Sequence, residues 1–107
     1  MIPLAEESDP MRRSEVLSTI APHLPEIRQR FQVDTLHLFG SAARDEMTEA
    51  SDIDILVAYK GAPNSDDYFD LKFFLEDMLG RSVDLVTDKG LRAGFRQTVA
   101  GESILVT

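Results

Sequence analysis

Two aspartates interrupt a strand-like run of apolar residues in the middle of the chain. In the segment DIDILVAY, residues 52–59, a β-strand places Ile53 and Ile55 on one face and Asp52 and Asp54 on the other. Removing a carboxylate from water costs several kcal/mol unless something compensates its charge. The segment therefore indicates a sheet that buries one face, and it requires a compensating group near the other face.

The other segments alternate between helix-like and strand-like patterns. The predicted elements, in chain order, are helices over residues 14–21 and 22–31, a strand over 35–39, a short helix over 41–47, the strand over 52–59, a helix over 65–80, a strand over 82–87, a helix over 90–101 and a last strand over 102–107. This order predicts one α/β domain over residues 1–107, a small sheet covered by helices. Residues 1–13 are predicted to be a loosely ordered lead-in.

Individual residues are predicted to begin and end these helices. Ser14, Ser41 and Ser65 each stand where a helix N-cap is expected, because a serine hydroxyl can accept a free backbone N–H. Gly80 stands where the long helix is expected to close.

The composition limits the classes of function. The chain has 107 residues, no cysteine and a net charge of -8, which argues against a nucleic-acid partner and excludes disulfides. It contains neither an apolar run of about 18 residues nor a secretory signal pattern at its start. A cytoplasmic protein with no membrane partner is therefore expected.

The aspartates have the spacing of ligands for a hard cation. Asp52 and Asp54 are two residues apart, so their Cβ atoms lie roughly 7 Å apart on one face of a strand. Mg²⁺ takes oxygen ligands, and it is commonly held by a few carboxylates together with substrate phosphates. Asp84, in the strand-like segment SVDLVT, is a candidate third ligand if that strand lies beside Asp52 and Asp54.

A second motif, Gly40-Ser41, has the features of a phosphate-binding turn. Glycine permits a tight turn and a close approach of phosphate to the backbone, and a short helix capped by Ser41 directs free N–H groups to the same place. Arg44, one turn into that helix, could add positive charge.

Each of these features also has an ordinary structural explanation. With eleven aspartates in the chain, one D-x-D pair is expected by chance. Gly-Ser is a common turn, Asp84 could simply be exposed at the start of a strand, and Arg44 could pair with Asp45 or Glu46. It is the ordered combination of the features that indicates a function.

This combination resembles the minimal nucleotidyltransferase (MNT) family, a branch of the superfamily of DNA polymerase beta. The signature of that superfamily is G-S followed after about ten residues by D-x-D or D-x-E. Here Gly40-Ser41 is followed by ten residues and then Asp52-Ile53-Asp54. The string LFGSAARDEMTEASDIDILV and the strand VDLV around Asp84 are both similar to the MNT pattern, and the likeness runs from about Leu24 to the C-terminus.

The resemblance implies a mixed sheet flanked by helices and the transfer of a nucleoside monophosphate to a hydroxyl. By position, Gly40, Ser41 and Arg44 would bind the triphosphate of ATP, and Asp52, Asp54 and Asp84 would hold Mg²⁺ and act in catalysis. Asp84, or another carboxylate that faces the acceptor, would help to deprotonate the hydroxyl. Many relatives carry glycine after the arginine; Asp45 stands there in this chain and adds a negative charge.

MNT proteins commonly act as antitoxins of HEPN-type ribonuclease toxins, some of them by adding AMP to a tyrosine, as in type VII systems. The resemblance thus implies a protein adenylyltransferase with a HEPN toxin as partner, in a homo-oligomer or in a hetero-oligomer with the toxin. The lack of a second, acceptor-binding domain favours a protein acceptor. Two alternatives remain: an antitoxin that acts by stoichiometric binding, and nucleotidyl transfer to a small-molecule hydroxyl.

Overall fold

A four-stranded sheet of mixed direction forms the centre of the structure. The computed structural model describes residues 11–48, 50–87 and 102–107. The strands in chain order are β1 (Val33–Leu38), β2 (Ile53–Tyr59), β3 (Val83–Thr87) and β4 (Ile104–Leu105). Their order across the sheet is β3-β2-β1-β4, and β1 runs antiparallel to β2 and β4 while β2 and β3 are parallel. The predicted mixed sheet with flanking helices is confirmed.

The helices follow the predicted order with small shifts of their ends. The helical elements are α1 (Arg13–Ile20), a 3₁₀ turn (Ala21–His23), α2 (Leu24–Arg30), α3 (Gly40–Arg44) and α4 (Ser65–Leu79). The 3₁₀ turn leads directly into α2, because proline at the start of each segment fits the first turn of a helix.

Two predicted N-caps on the outer helices are wrong by one or two residues. Helix α1 starts at Arg13, with Arg12 rather than Ser14 at the N-cap. Helix α4 is capped by Asn64 rather than Ser65: the Asn64 side chain accepts the Asp67 N–H at 2.8 Å, and the Asp67 carboxylate accepts the Asn64 N–H at 3.1 Å. An amide side chain makes this reciprocal bond as well as a hydroxyl does, so the pattern alone did not distinguish the two positions.

The core lies between the apolar face of the sheet and the helices. Ile53, Ile55 and Val57 of β2 are fully buried in one cluster with residues of α1, α2 and α4. Burying one such side chain contributes roughly 1.5–3 kcal/mol. Because side chains alternate along a strand, this burial fixes Asp54 on the face that points away from the core.

Some predictions concern residues that the structure does not describe. The helix predicted over residues 90–101 lies outside the described ranges, and so do residues 1–10 of the predicted lead-in. Arg13 begins α1, so the described part of the lead-in is residues 11 and 12. The last strand is confirmed in a shorter form at Ile104–Leu105. Within the described ranges, no helix combines the length and apolarity needed to cross a membrane.

Candidate active site

Asp54 and Asp84 lie directly opposite each other on the two parallel strands. The register pairs Asp54 of β2 with Asp84 of β3, and the two carboxyl groups lie close enough for Asp84 to raise the pKa of Asp54. Burial, together with the negative charges of Asp84 and Asp52, raises the pKa of Asp54 to about 6. Arg44 acts in the opposite direction and lowers the pKa. The sequence prediction that the strand of Asp84 lies beside Asp54 is confirmed.

Asp52 lies one residue before β2 rather than inside it. It is exposed, as is Asp84, whereas Asp54 is partly buried. Asp52 is close enough for its charge to raise the pKa of Asp54. In the part of the chain that the structure describes, no three carboxylate, histidine or cysteine side chains already have the spacing of metal ligands. A shared cation site therefore requires the exposed Asp52 side chain to turn toward Asp54 and Asp84.

The donor set nevertheless fits a hard divalent cation. All three groups offer carboxylate oxygens, which Mg²⁺ prefers, and their mutual repulsion is the charge imbalance that a cation relieves. The raised pKa of Asp54, which has burial as its largest cause, also contains a contribution from this repulsion.

Gly40 packs directly against the side chain of Asp54. Its φ of +59° lies in the left-handed region, and a Cβ atom at this position would lie 2.3 Å from Oδ2 of Asp54. The neighbouring Phe39 N–H donates to the Asp54 carbonyl at 3.1 Å. Glycine is therefore required both by its backbone conformation and by its contact with the carboxylate.

Ser41 is not the N-cap of the short helix, which corrects the sequence prediction. Helix α3 begins at Gly40 with Phe39 at the N-cap, and no side chain caps it. Ser41 lies in the first turn and is partly exposed. The helix ends at Arg44, three residues earlier than predicted, because Asp45 takes a left-handed conformation with φ +59°.

Arg44 is exposed and carries two ion pairs. Its Nε donates to Glu46 at 2.6 Å and its Nη1 donates to Glu102 at 2.9 Å. The hydrogen bond to Glu46 and the charges of both glutamates raise the pKa of Arg44. The pairing with Glu46 was one of the alternatives open from the sequence; the pairing with Glu102 was not expected, because the two residues are 58 positions apart.

Comparison with known proteins agrees with this geometry. The nucleotidyltransferase domain profile matches residues 20–106. Protein adenylyltransferase MntA of Thermococcus cleftensis is 39% identical over 92 residues, which cover 86% of this chain and 93% of that protein. A solved structure assigned as a minimal nucleotidyltransferase superposes with a TM-score of 0.76 at 35% identity, covering 88% of this chain and 95% of the other. This chain belongs to the nucleotidyltransferase domain family.

A more distant solved structure shares the fold. It contains the tri-AMPylated HEPN toxin of Shewanella oneidensis in complex with its MNT antitoxin, and it matches with a TM-score of 0.62 at 19% identity, covering 85% of this chain and 71% of the other. The predictions of the MNT family and of a nucleotidyltransferase are thus confirmed.

In this nucleotidyltransferase, the negative charge of Asp45 is engaged with the start of α1. Its Oδ1 accepts the backbone N–H of Arg13 at 2.8 Å, and its Oδ2 lies 3.8 Å from Nη1 of Arg12. Asp45 therefore binds the N-terminus of α1, where a negative charge is favourable. The sequence pattern does not reveal this role, because the partners are about thirty positions away.

Proposed function

We propose that this chain transfers AMP from ATP to a hydroxyl group of a HEPN-type toxin, with tyrosine as the expected acceptor, and so neutralises the toxin. The observation that carries the proposal is the in-register pair Asp54 and Asp84, with the Asp54 carboxylate against Gly40. Its support comes from MntA, a protein adenylyltransferase that matches nearly the whole chain, and from the AMPylated toxin found with an MNT antitoxin.

The exposure of the site suits an acceptor on another protein. Asp52 and Asp84 are exposed and only Asp54 is partly buried, so the carboxylates are accessible from the molecular surface. A side chain that projects from a partner protein can approach such a site without a deep entrance. This accessibility favours a protein acceptor over a small molecule, which usually requires an enclosing pocket.

The reaction is an in-line displacement at phosphorus. The acceptor oxygen forms a bond to the α-phosphorus of ATP, the bond to the bridging oxygen of pyrophosphate breaks, and the hydroxyl proton passes to a carboxylate. Mg²⁺, when bound, supplies charge neutralisation of the phosphates. Asp84, exposed beside Asp54, is the residue proposed to receive the proton.

The other residues of the motif are proposed to hold the triphosphate. The backbone N–H groups of Gly40 and Ser41, in the first turn of a helix that no side chain caps, are proposed to donate to the phosphate oxygens. Arg44 can contact the triphosphate only if it exchanges at least one of its bonds to Glu46 and Glu102 for a phosphate oxygen. Arg44 is thus proposed to bind nucleotide in competition with these two glutamates.

The intact mass of the toxin tests this function. We expect incubation of the toxin with this chain, ATP and Mg²⁺ to add one or more increments of about 329 Da, the mass of one transferred AMP group. The modified toxin is expected to have lost its ribonuclease activity even after this chain has been removed. Asp54→Asn should abolish the increment, whereas Asp34→Asn, which removes an exposed carboxylate of β1, should leave it unchanged.

Two outcomes contradict the proposal. A toxin that stays unmodified but is inhibited while bound establishes stoichiometric binding instead. Transfer to a small-molecule hydroxyl, with no increment on the toxin, establishes a different acceptor class.

A further inference from the structure

Asp52 is positioned by the residues that flank it. It precedes β2, so the regular pairing of that strand begins only after it. On its C-terminal side, the Ile53 N–H donates to the Ser82 carbonyl at 2.9 Å. The position of Asp52 therefore depends on what holds the residue on its other side, Ser51.

Ser51 belongs to a turn that is hydrogen-bonded internally. The Ser51 N–H donates to the Thr48 carbonyl at 3.1 Å, and the Ser51 hydroxyl oxygen accepts the Thr48 N–H at 2.9 Å. The two hydroxyl oxygens are also 3.1 Å apart. Thr48 and Ser51 can thus be held in place by a single external group that contacts both.

Arg81 is that external group. Its Nη2 donates to the Thr48 carbonyl at 2.7 Å and to the Ser51 carbonyl at 3.3 Å. The Ser51 carbonyl is part of the peptide group that leads into Asp52. Hydrogen bonds from a charged donor are stronger than those between neutral groups, and the bond to Ser51 is partly buried.

The backbone of Arg81 is itself fixed at the junction of α4 and β3. Gly80 ends α4 in a left-handed conformation and donates its N–H to the Glu76 carbonyl at 2.8 Å. The Glu76 carboxylate accepts the Val83 N–H at 2.9 Å. The same junction leads into Asp84, so Arg81 links the position of Asp52 to that of Asp84.

We propose that Arg81 is a positioning residue for the metal and nucleotide site: it holds Thr48 and Ser51 so that Asp52 lies within reach of a cation shared with Asp54 and Asp84. This inference rests on the proposed function, because it assumes that the three aspartates share a divalent cation. Groups that orient metal ligands typically affect metal affinity by about 10- to 100-fold when they are removed.

The binding of Mn²⁺, used as a spectroscopic substitute for Mg²⁺, tests the proposal. Free Mn²⁺ is measured by electron paramagnetic resonance in the presence of AMP-PNP, an ATP analogue that resists hydrolysis. We expect Arg81→Met to weaken Mn²⁺ binding by about tenfold or more and Arg81→Lys to restore part of the loss. Arg28→Met, which removes an exposed arginine of α2, should leave Mn²⁺ binding unchanged.

A kinetic measurement separates positioning from general destabilisation. Arg81→Met should raise the Mg²⁺ concentration needed for half-maximal AMP transfer, and saturating Mg²⁺ should restore most of the rate. Arg81→Gln, which keeps N–H donors and removes the charge, is the second variant if Arg81→Met does not fold, and the same weakening of Mn²⁺ binding is expected.

Unchanged Mn²⁺ affinity in a variant that melts at a lower temperature overturns the proposal and leaves Arg81 with a purely structural role. Failure of the unsubstituted protein to bind Mn²⁺ overturns both the shared cation site and this inference. Normal Mn²⁺ binding by that protein without AMP transfer to the toxin overturns only the proposed acceptor, while a loss of binding in Arg81→Met still supports the positioning role.

Discussion

At the scale of single residues, the structure explains why Gly40 and Asp54 occur together in the motif. The two residues touch: the glycine leaves the space that Oδ2 of Asp54 fills. A side chain at position 40 must displace the end of the Asp54 side chain, since the backbone on both sides is held in β2 and α3. The contact therefore matters more for the position of the carboxylate than for the stability of the fold.

Gly40→Ala is expected to lower AMP transfer by about 100-fold, because a displacement of about 1 Å in a reacting group has an effect of this size. The left-handed conformation of residue 40 adds a destabilisation of roughly 1–2 kcal/mol. Gly80→Ala is the matched control, because Gly80 has a similar φ of +68° with nothing within 4 Å of the added Cβ. It should show a similar loss of stability in denaturant unfolding but a much smaller loss of AMP transfer at saturating Mg²⁺, because residue 80 can affect the site only through Arg81; equal activity losses in both variants contradict the proposed role of the Gly40 contact.

Asp54 also makes the stability of the protein depend on pH when no divalent cation is present. Its pKa of about 6 in the folded state lies above the ordinary value of 3.8, so the folded state binds its proton more tightly than the unfolded state does. This contribution to stability is complete below about pH 4 and is lost as the pH rises toward 6. The folded protein is thus destabilised by the charged form of Asp54 at neutral pH.

Asp54→Asn should raise the melting temperature at pH 7 in the presence of a chelator by several degrees, on the scale of ~4–8 °C per kcal/mol. It should also remove the decline in stability between about pH 4 and 6 that the unsubstituted protein shows. Differential scanning calorimetry of both proteins across this pH range measures the two effects. A lower melting temperature in Asp54→Asn shows that the carboxylate stabilises the fold and that the repulsion is absent.

At the scale of helices and strands, the sequence predicted which elements exist better than where they end. Local periodicity identified α1, α2, α4 and all four strands, because burial of one face imposes it. Strand β1 begins at Val33 rather than Thr35, since an irregularity in pairing between Val33 and Thr35 breaks the alternation that a regular strand would show. Helix α3 ends early because Asp45 turns the chain, a conformation that the sequence does not signal for aspartate.

Asp45 follows α3, and its side chain binds the start of α1. Substitutions of Asp45 therefore test how much this contact stabilises the protein. Asp45→Ala should lower the free energy of unfolding by about 1–2 kcal/mol, because it removes an acceptor at a helix N-terminus and leaves a left-handed residue without a polar side chain. Asp45→Asn, which keeps the acceptor and tolerates this conformation, should lower the free energy of unfolding less. Urea unfolding of the two variants measures both changes, and equal losses of unfolding free energy contradict the contribution of the helix contact.

At the scale of the whole molecule, the sequence motif predicted the group of carboxylates. It did not predict the long-range bonds around them. The spacing of Gly40, Ser41, Asp52 and Asp54 is a local property that a motif records. The bonds from Arg81 to Thr48 and from Arg44 to Glu102 span 33 and 58 positions, and such pairs become visible only when the strands are assembled. The parallel pairing of β2 and β3 places Asp84 opposite Asp54.

The proposed function requires that the three aspartates accept a nucleotide only together with a divalent cation. Without one, Asp52, Asp54 and Asp84 repel the triphosphate, since like charges at close range oppose binding. Isothermal titration calorimetry with ATP, once with Mg²⁺ and once with a chelator, measures this directly. We predict clear binding with Mg²⁺ and an affinity at least about tenfold weaker with the chelator, which corresponds to about 1.4 kcal/mol. Equal affinity under the two conditions would contradict the metal site on which the account rests.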